Sequence, residues 1–598
     1  MRDCFEVRPR ALHEKVFAPA ALSAADADAF KAACELVVEG KTSEGIGALL
    51  KLAAAQPYDC AIAHALGSAY RVMQDAATAR TWLRKAAELD PDDSLSWKDL
   101  AEVASQARDW AEVARACSHR VRLDRRCGEA WVLWGHALHA QRRTRAALCV
   151  MLAGWRHNRN HTRLNAGIGS YYTEIGRSYR GLAFLRQAVA IDPAYDGAWT
   201  NLLFAITGDG RSNAEQQAAE HRRYGERWQS ASKLTPRRRT SRAKIRVGYV
   251  SGDFRRHALE RFYAPVFDNL DREKFEIYLY SNTSRYDAST ARYRTWCTHW
   301  RDVSESGDDE AWRMVTRDRV DILVDLSGHT RGNRLGIFAR RAAPVQITHC
   351  GYPNTSGLAQ MDWFVTDSQA DPPGTERFFT EKLVRIDPCF LCYSPASREV
   401  SAETEAGTRP VTFGCFNPLR KISEATLDLW ARVLERSEGS RLLLKSRALG
   451  DPAVAMRTGR EFARRGIAPD RIGCAGFSNT DEDYLRAWHD VDIALDPFPY
   501  NGGTITCDAL WMGVPVVAKT GDTHASRVAS SLLHAAGYAE WIANSDDSYV
   551  RIASSLGEEV ATLRGTRGAR RDRMRGSVLM DETSYARRFE EALRSLMR

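Results

Sequence analysis

Residues 495–517 read LDPFPYNGGTITCDALWMGVPVV, and this stretch decides the fold of the C-terminal part of the chain. Strand residues 491–495 lead to Asp496, a Pro/Gly-rich loop follows, a helix is expected from about Gly503-Thr504, and a second apolar run begins at PVV. Strand, glycine loop, helix and strand in that order make the repeating unit of a parallel sheet. The loop Asn501-Gly502-Gly503-Thr504-Ile505-Thr506 admits two readings. It can be a plain strand-to-helix turn with a capping threonine. It can also be an anion cradle, because glycines let a ligand approach the backbone and a helix start presents free N–H groups at its positive dipole end. Thr504 adds a hydroxyl, and Asp508, one turn further in, is placed to accept hydrogen bonds from ribose hydroxyls.

The same alternation extends outward from this stretch. IRVGYVSGDF, FEIYLYSN, DILVDLSG, PVQITHCGYP and DWFVTDS are five β-branched runs before residue 370. VTFGCFN, SRLLLKS, RIGCAGF, VDIALDP and PVVAKTG are five more after residue 410. Two such sets, separated by CYSPASREVSAETEAGT, predict two doubly wound parallel sheets facing a cleft, with ligands at the carboxyl ends of the strands.

Upstream the pattern is different. Pro57, Pro91 and Pro193 are separated by 34 and 102 residues, and 102 is three times 34; the two intervening slots fall at Arg125 and Arg159. Trp97, Trp131 and Trp199 stand six residues after a slot, and small residues such as Gly67, Ala79, Ala86 and Ala188 recur where helices must approach closely. A shared 34-residue period predicts an array of tetratricopeptide repeats over residues 24–208, with each proline opening a helix. Such an array exposes a groove suited to protein segments, which implies a protein partner.

With 598 residues, 44% hydrophobic and 27% charged, the chain exceeds one hydrophobic core, and its composition is that of a globular protein. A net charge of +9 is too dilute to argue for nucleic acid, and the basic stretch TPRRRTSRAK (235–244) has no interleaved aromatic residues and reads as a connector. No apolar leader or bilayer-length run is found, and thirteen cysteines without framework spacing suit reduced thiols, so a cytoplasmic protein without a membrane partner is expected. Cys389 and Cys392 form a lone CxxC without two further ligands nearby and are expected to be buried thiols. P-loop, zincin and hydrolase-elbow motifs are absent.

Several chemistry-bearing residues fall at expected strand ends. Asn417 ends VTFGCFN, and Lys421 follows it just before a helix that Ser423 can cap; such a lysine can neutralise a diphosphate or lie solvated on the surface. In the first set Asp253 and His257, four apart, would share a face if their segment is helical, near enough for an acid/base role. His329, Thr330 and Arg334 stand at another strand end, and CGYPNTSG surrounds Gly351 with backbone donors.

In RVGYVSGDFRRHA, DILVDLSGHTRGNRLGIFARRAAPVQ, GYPNTSG, MDWFVTD, EKLVRI, FNPLRKI, NGGTITCDALWMGVPVV and ASRVASSLL, in this order over about residues 244–590, the chain resembles the O-linked N-acetylglucosamine transferases with tetratricopeptide repeats, including SPINDLY-like members. The resemblance implies a repeat solenoid followed by a GT-B glycosyltransferase. Its halves would be 244–400 and 401–598, preceded by an extension (1–23), the repeats (24–208) and a linker helix with a basic connector (209–243). It implies UDP-N-acetylglucosamine as co-substrate, protein Ser/Thr hydroxyls as acceptors recruited by the repeats, inversion at the sugar, and neither metal nor cofactor. Lys421 would hold the diphosphate and stabilise departing UDP, with Asn417 beside it. Gly503, Thr504 and the N–H of Ile505 would hold phosphate oxygens, and Asp508 the ribose. His257 backed by Asp253 would serve the acceptor side, and Arg334 and Gly351 would line the sugar pocket. Departures from the family pattern fall at Gly503, Ile505, Pro418, His349-Cys350 and Tyr484, the last standing where a base-stacking histidine is common. They leave open another donor, GDP-fucose or UDP-glucose, and a repeat adaptor with a decayed transferase.

Overall fold

The computed structural model describes residues 23–228, 244–404 and 409–597, so the N-terminal extension before Ser23 and nearly all of the basic connector lie outside the described residues. The chain forms two compact units, one ending at Ile168 and one beginning at Gly169.

The first unit is built of helix pairs: Ala24–Val38 with Thr42–Ala55, Cys60–Val72 with Ala76–Leu89, Ser94–Gln106 with Trp110–Leu123, and Gly128–Ala140 with Thr144–His157. From residue 60 the leading helices start at 60, 94, 128, 162 and 196, a constant step of 34. At three of the five slots a tryptophan six residues on explains the period. Trp97 Nε1 donates to the Pro91 carbonyl at 2.9 Å, Trp131 to Arg125 at 3.0 Å and Trp199 to Pro193 at 2.9 Å. At the Arg159 slot the amide of Asn165 donates to the Arg159 carbonyl at 2.8 Å, while after Pro57 the position is Ala63. The bond uses the slot's carbonyl, which every residue has, so the repeat persists where proline does not. One expectation is corrected: Pro57, Pro91 and Pro193 stand three residues ahead of helices beginning at Cys60, Ser94 and Asp196, in the turn and not at the first helical position. Asp59 and Asp93 take the cap, accepting from Ile62 at 2.9 Å and from Ser96 at 2.9 Å. Close packing is visible at Gly67, where a Cβ would meet the Leu83 side chain at 2.5 Å.

The second unit holds the last repeat helices, Ser178–Ile191 and Asp196–Thr207, the linker helix Ala214–Glu226, and two parallel sheets. The first sheet comprises β1 (Ile245–Ser251), β2 (Phe275–Ser281), β3 (His299–Asp302), β4 (Ile322–Asp325), β5 (Val345–Thr348), β6 (Trp363–Thr366) and β7 (Lys382–Arg385), ordered 3-2-1-4-5-6-7. The second comprises β8 (Thr412–Cys415), β9 (Arg441–Lys445), β10 (Ile472–Ala475), β11 (Ile493–Leu495), β12 (Val516–Lys519) and β13 (Ile542–Ala543), ordered 10-9-8-11-12-13. All ten expected strands are present. The unexpected ones, β3, β7 and β13, are edge strands, buried on too few sides to need an apolar run.

Strand order reverses between β1 and β4 and again between β8 and β11, so the loops leaving those four strands flank the two crevices where ligands bind. Two further joints fix this unit. The Tyr352 hydroxyl lies 2.8 Å from both Thr207 Oγ1 and His221 Nε2, which docks the last repeat helix and the linker helix on the first sheet's loops. The final helix, Glu582–Ser595, returns to the first half: Tyr585 donates to the Phe390 carbonyl at 2.5 Å, and Glu590 accepts the Asp271 N–H at 2.6 Å.

Candidate active site

After β11 the chain folds around Asp496. Its buried carboxylate accepts the Gly502 N–H at 2.9 and 3.1 Å and the Thr506 hydroxyl at 3.2 Å, closing residues 497–503 into a tight loop. A Cβ on Gly502 would lie 2.5 Å from Thr506 Oγ1 and 2.6 Å from Asp496 Oδ1, so only glycine fits there. Gly503 is different: the nearest atom to its Cβ position is 4.0 Å away, and the space before it is open. Helix Thr504–Trp511 starts at this opening without a side-chain cap, leaving the N–H groups of its first turn unclaimed by any capping group. Ile505 packs on the core beside Phe416 and Trp488, so it offers the opening its backbone, not its side chain.

Lys421 ends a single turn, Leu419–Lys421, that follows β8. Its Nζ donates to the Asn501 carbonyl at 2.7 Å and lies 4.1 Å from the centre of the Tyr500 ring. The lysine and the glycine loop, 80 residues apart in sequence, are thereby one site. Burial pushes the Lys421 ammonium down to about 7 against the opposing pull of Asp496, and burial raises the Asp496 carboxyl to about 7 against the Gly502 N–H and Lys421. Asn417 is buried at the floor with its Oδ1 unpaired.

Asp508 is 4% exposed and accepts the Tyr393 hydroxyl at 2.6 Å. Burial lifts its carboxyl to about 6, while the Tyr393 hydrogen bond and the Arg261 charge hold it lower. Tyr484, half-buried on helix Asp481–Arg486, meets Phe416 edge-on at 6.0 Å. Asp481, at the start of that helix, receives Arg256 and Arg261 from the first half, each at 2.8 Å. The two halves are clamped by charge beside the tyrosine.

From the first half, Asp253 and His257 follow β1 in irregular backbone; the expected helix begins only at Glu260. They still meet, His257 Nδ1 lying 3.7 Å from Asp253 Oδ2, longer than a hydrogen bond. Asp253 is held by Arg255 at 2.9 Å, and His257 Nδ1 accepts the Leu259 N–H at 3.3 Å. Burial lowers the imidazole's affinity for a proton; Asp253 opposes this, and Arg255 and Arg420 reinforce it.

Two expected residues serve the scaffold. The Arg334 guanidinium is committed to Asp308 (2.8 Å), Asn282 (2.9 Å) and the carbonyls of Val303 (2.7 Å) and Ser306 (2.8 Å). Gly351 donates its N–H to His349 at 2.7 Å and is glycine because a Cβ would strike the Leu326 carbonyl. His329 is fully buried, bonded to the Ser356 carbonyl at 2.8 Å, and Thr330 donates to the Ser327 carbonyl at 2.7 Å. His349 is also a buried pin, between the Tyr263 hydroxyl (2.7 Å) and the Phe390 carbonyl (3.0 Å). Asp496, Tyr500, Arg420 and the Arg256–Asp481–Arg261 clamp carry no sequence signal as site residues, apart from Asp496 standing at a strand end.

Two Rossmann-like halves whose crossover loops meet in one cleft, the second offering a lysine and an uncapped helix start, have the construction of the GT-B glycosyltransferases. The sequence profile of glycosyl transferase family 41 matches residues 227–394 and 402–589, and the chain belongs to that family. A tetratricopeptide-repeat profile matches residues 61–93. The chain is 35% identical over 418 residues to the Petunia hybrida protein named probable UDP-N-acetylglucosamine–peptide N-acetylglucosaminyltransferase SPINDLY, covering 68% of this chain and 45% of that one. It is 26% identical over 472 residues to the Caenorhabditis elegans UDP-N-acetylglucosamine–peptide N-acetylglucosaminyltransferase, covering 58% and 40%. It thus spans under half the length of these curated relatives. A solved structure of a mutant O-GlcNAc transferase from Thermobaculum terrenum superposes with a TM-score of 0.78 at 33% identity, covering 84% of this chain and 97% of that one.

Proposed function

We propose that the protein transfers N-acetylglucosamine from UDP to Ser/Thr hydroxyls of proteins, with inversion and without a metal ion or other cofactor. The observation that supports this most is Lys421 resting on the Asn501 carbonyl beside the open, uncapped helix start at Gly503-Thr504. A cation and a fan of N–H groups converge where a diphosphate would sit. In the transfer, the acceptor oxygen bonds to the anomeric carbon as the bond to the β-phosphate oxygen breaks, and the electron pair leaves with UDP. Lys421 and the N–H groups of Thr504 and Ile505 offset that developing charge. Ionised Asp508 accepts from the ribose, and Tyr484 and Asn417 border the nucleotide. The acceptor's proton passes to His257; for Nε2 to take it, Nδ1 must release the Leu259 N–H and carry a proton toward Asp253, so the 3.7 Å gap closes when substrates bind.

The repeats recruit the acceptor proteins, and neither nucleic acid nor a membrane is a partner. We also infer a cytoplasmic location: the twelve cysteines among the described residues are free thiols, and no described helix is long and apolar enough to cross a membrane.

Melting curves with UDP, GDP and their sugars, without added metal, test this reading. UDP at 100 times its dissociation constant is expected to stabilise the protein by about 2.7 kcal/mol. Stabilisation by GDP alone moves the reading to another donor, and no shift with any nucleotide replaces the transferase with a repeat adaptor.

A further inference from the structure

The turn that carries Lys421 is walled by the last repeat helices. At Gly176 a Cβ would lie 3.1 Å from the Leu419 carbonyl, and at Gly208 one would lie 3.1 Å from the Arg420 carbonyl. At Gly210 it would come within 3.6 Å of Ser423 and Pro499. Three glycines at the repeat turns thus allow backbone to press against residues 419–423 and their neighbour, joined by the Ile422–Pro499 bridge. One large side chain at this joint is Phe204. Phe204, one turn before Gly208 on helix Asp196–Thr207, has its ring centre 5.8 Å from Tyr500, and the Arg420 guanidinium carbon lies 5.1 Å over it. Tyr500 is the ring beneath the Lys421 ammonium, and Arg420 is the next residue in the chain.

On the far side Phe204 meets Tyr352 at 6.2 Å. Tyr352 is itself fixed by Thr207, His221 and the Leu203 carbonyl. The ring is therefore braced from the first half and presses on both neighbours of the lysine. The Arg420 Nε is buried without a hydrogen-bond partner, and its guanidinium lies over the Phe204 ring.

We propose that Phe204, a repeat residue, is a positioning residue for Lys421: it fixes Tyr500 and Arg420, and through them the ammonium that meets the donor diphosphate. The proposal rests on the transferase reading above. Its consequence is that the last repeat forms a wall of the chemical site as well as part of the array. Removing the ring frees both supports of a charge whose effect depends on placement to within an ångström.

The test measures UDP affinity by calorimetry and UDP release from UDP-N-acetylglucosamine per UDP-binding site, so that loss of folded protein does not count. Phe204→Ala is expected to lower release per site about tenfold and weaken UDP about fivefold, whereas Phe204→Tyr stays within about twofold of the parent. In a Lys421→Met background, Phe204→Ala should change UDP affinity less than about twofold, because coupled residues are non-additive. Equal losses in both backgrounds, or none in either, overturn the positioning role. If Phe204→Ala does not fold, Gly208→Ala, whose methyl displaces the Arg420 carbonyl, carries the same comparison with an expected two- to threefold loss. Failure of the parent protein to bind UDP sinks the transferase reading and this proposal together; UDP binding with additive losses sinks this proposal alone.

Discussion

The two loops that face each other across the cleft are built differently. In the second half, Asp496 holds Gly502 and Thr506 within 3.2 Å, Lys421 holds the Asn501 carbonyl, and glycine is enforced by contact at 502. In the first half, Asp253 and His257 stand 3.7 Å apart in irregular chain, and the histidine side chain is 42% exposed. Under the proposed function, the loop offered to the nucleotide is set before any ligand arrives, and the loop offered to the acceptor is left for a substrate to complete. The contrast fits one ligand of constant shape and another that varies from protein to protein.

The contrast can be broken most forcefully at Lys421. Lys421→Ala is expected to lower turnover about 10²- to 10³-fold, the magnitude typical of losing one electrostatic donor, while partner binding through the repeats stays intact. Near-parental turnover in steady-state kinetics would strip the lysine of its assignment. On the looser side, His257→Ala should lower acceptor transfer by about 10²-fold and leave UDP affinity within about twofold. A loss shared equally by transfer and UDP affinity would mean that the two loops are not functionally separate. The smallest effect is expected at Ile505→Thr. The side chain faces the core, so the new hydroxyl should cost about 1 kcal/mol in denaturant melts and barely alter UDP affinity. A marked gain in UDP affinity would show that the grip reads the side chain there as well as the backbone.

What could be read from the sequence follows burial and period. Central strands such as β1 and β11 are enclosed on both faces and show as apolar runs, whereas β3, with the sequence HWRD, sits at an edge and shows nothing. The 34-residue period is legible because at three repeats a tryptophan reaches a carbonyl six residues behind it. The joining of Lys421 to the glycine loop followed from motif order, but the support behind it did not. Phe204 is one more aromatic residue in a helical pattern, and only the fold brings it to Tyr500. Arg334 shows what a strand-end charge leaves open: its two terminal nitrogens meet Asp308, Asn282 and the Val303 and Ser306 carbonyls, local partners that the sequence does not reveal. Asp253 and His257 were paired on helical spacing, yet they meet without a helix.

The last helix has a mechanical consequence. Because Glu582–Ser595 returns from the second half to bond Phe390 and Asp271 in the first, the polypeptide crosses between the halves twice. Together with the Arg256–Asp481–Arg261 clamp and the Tyr393–Asp508 bond, this return fastens the halves at several separate places, so the loops after β1 and β8 are held in register by one packed body and not by the connecting chain alone.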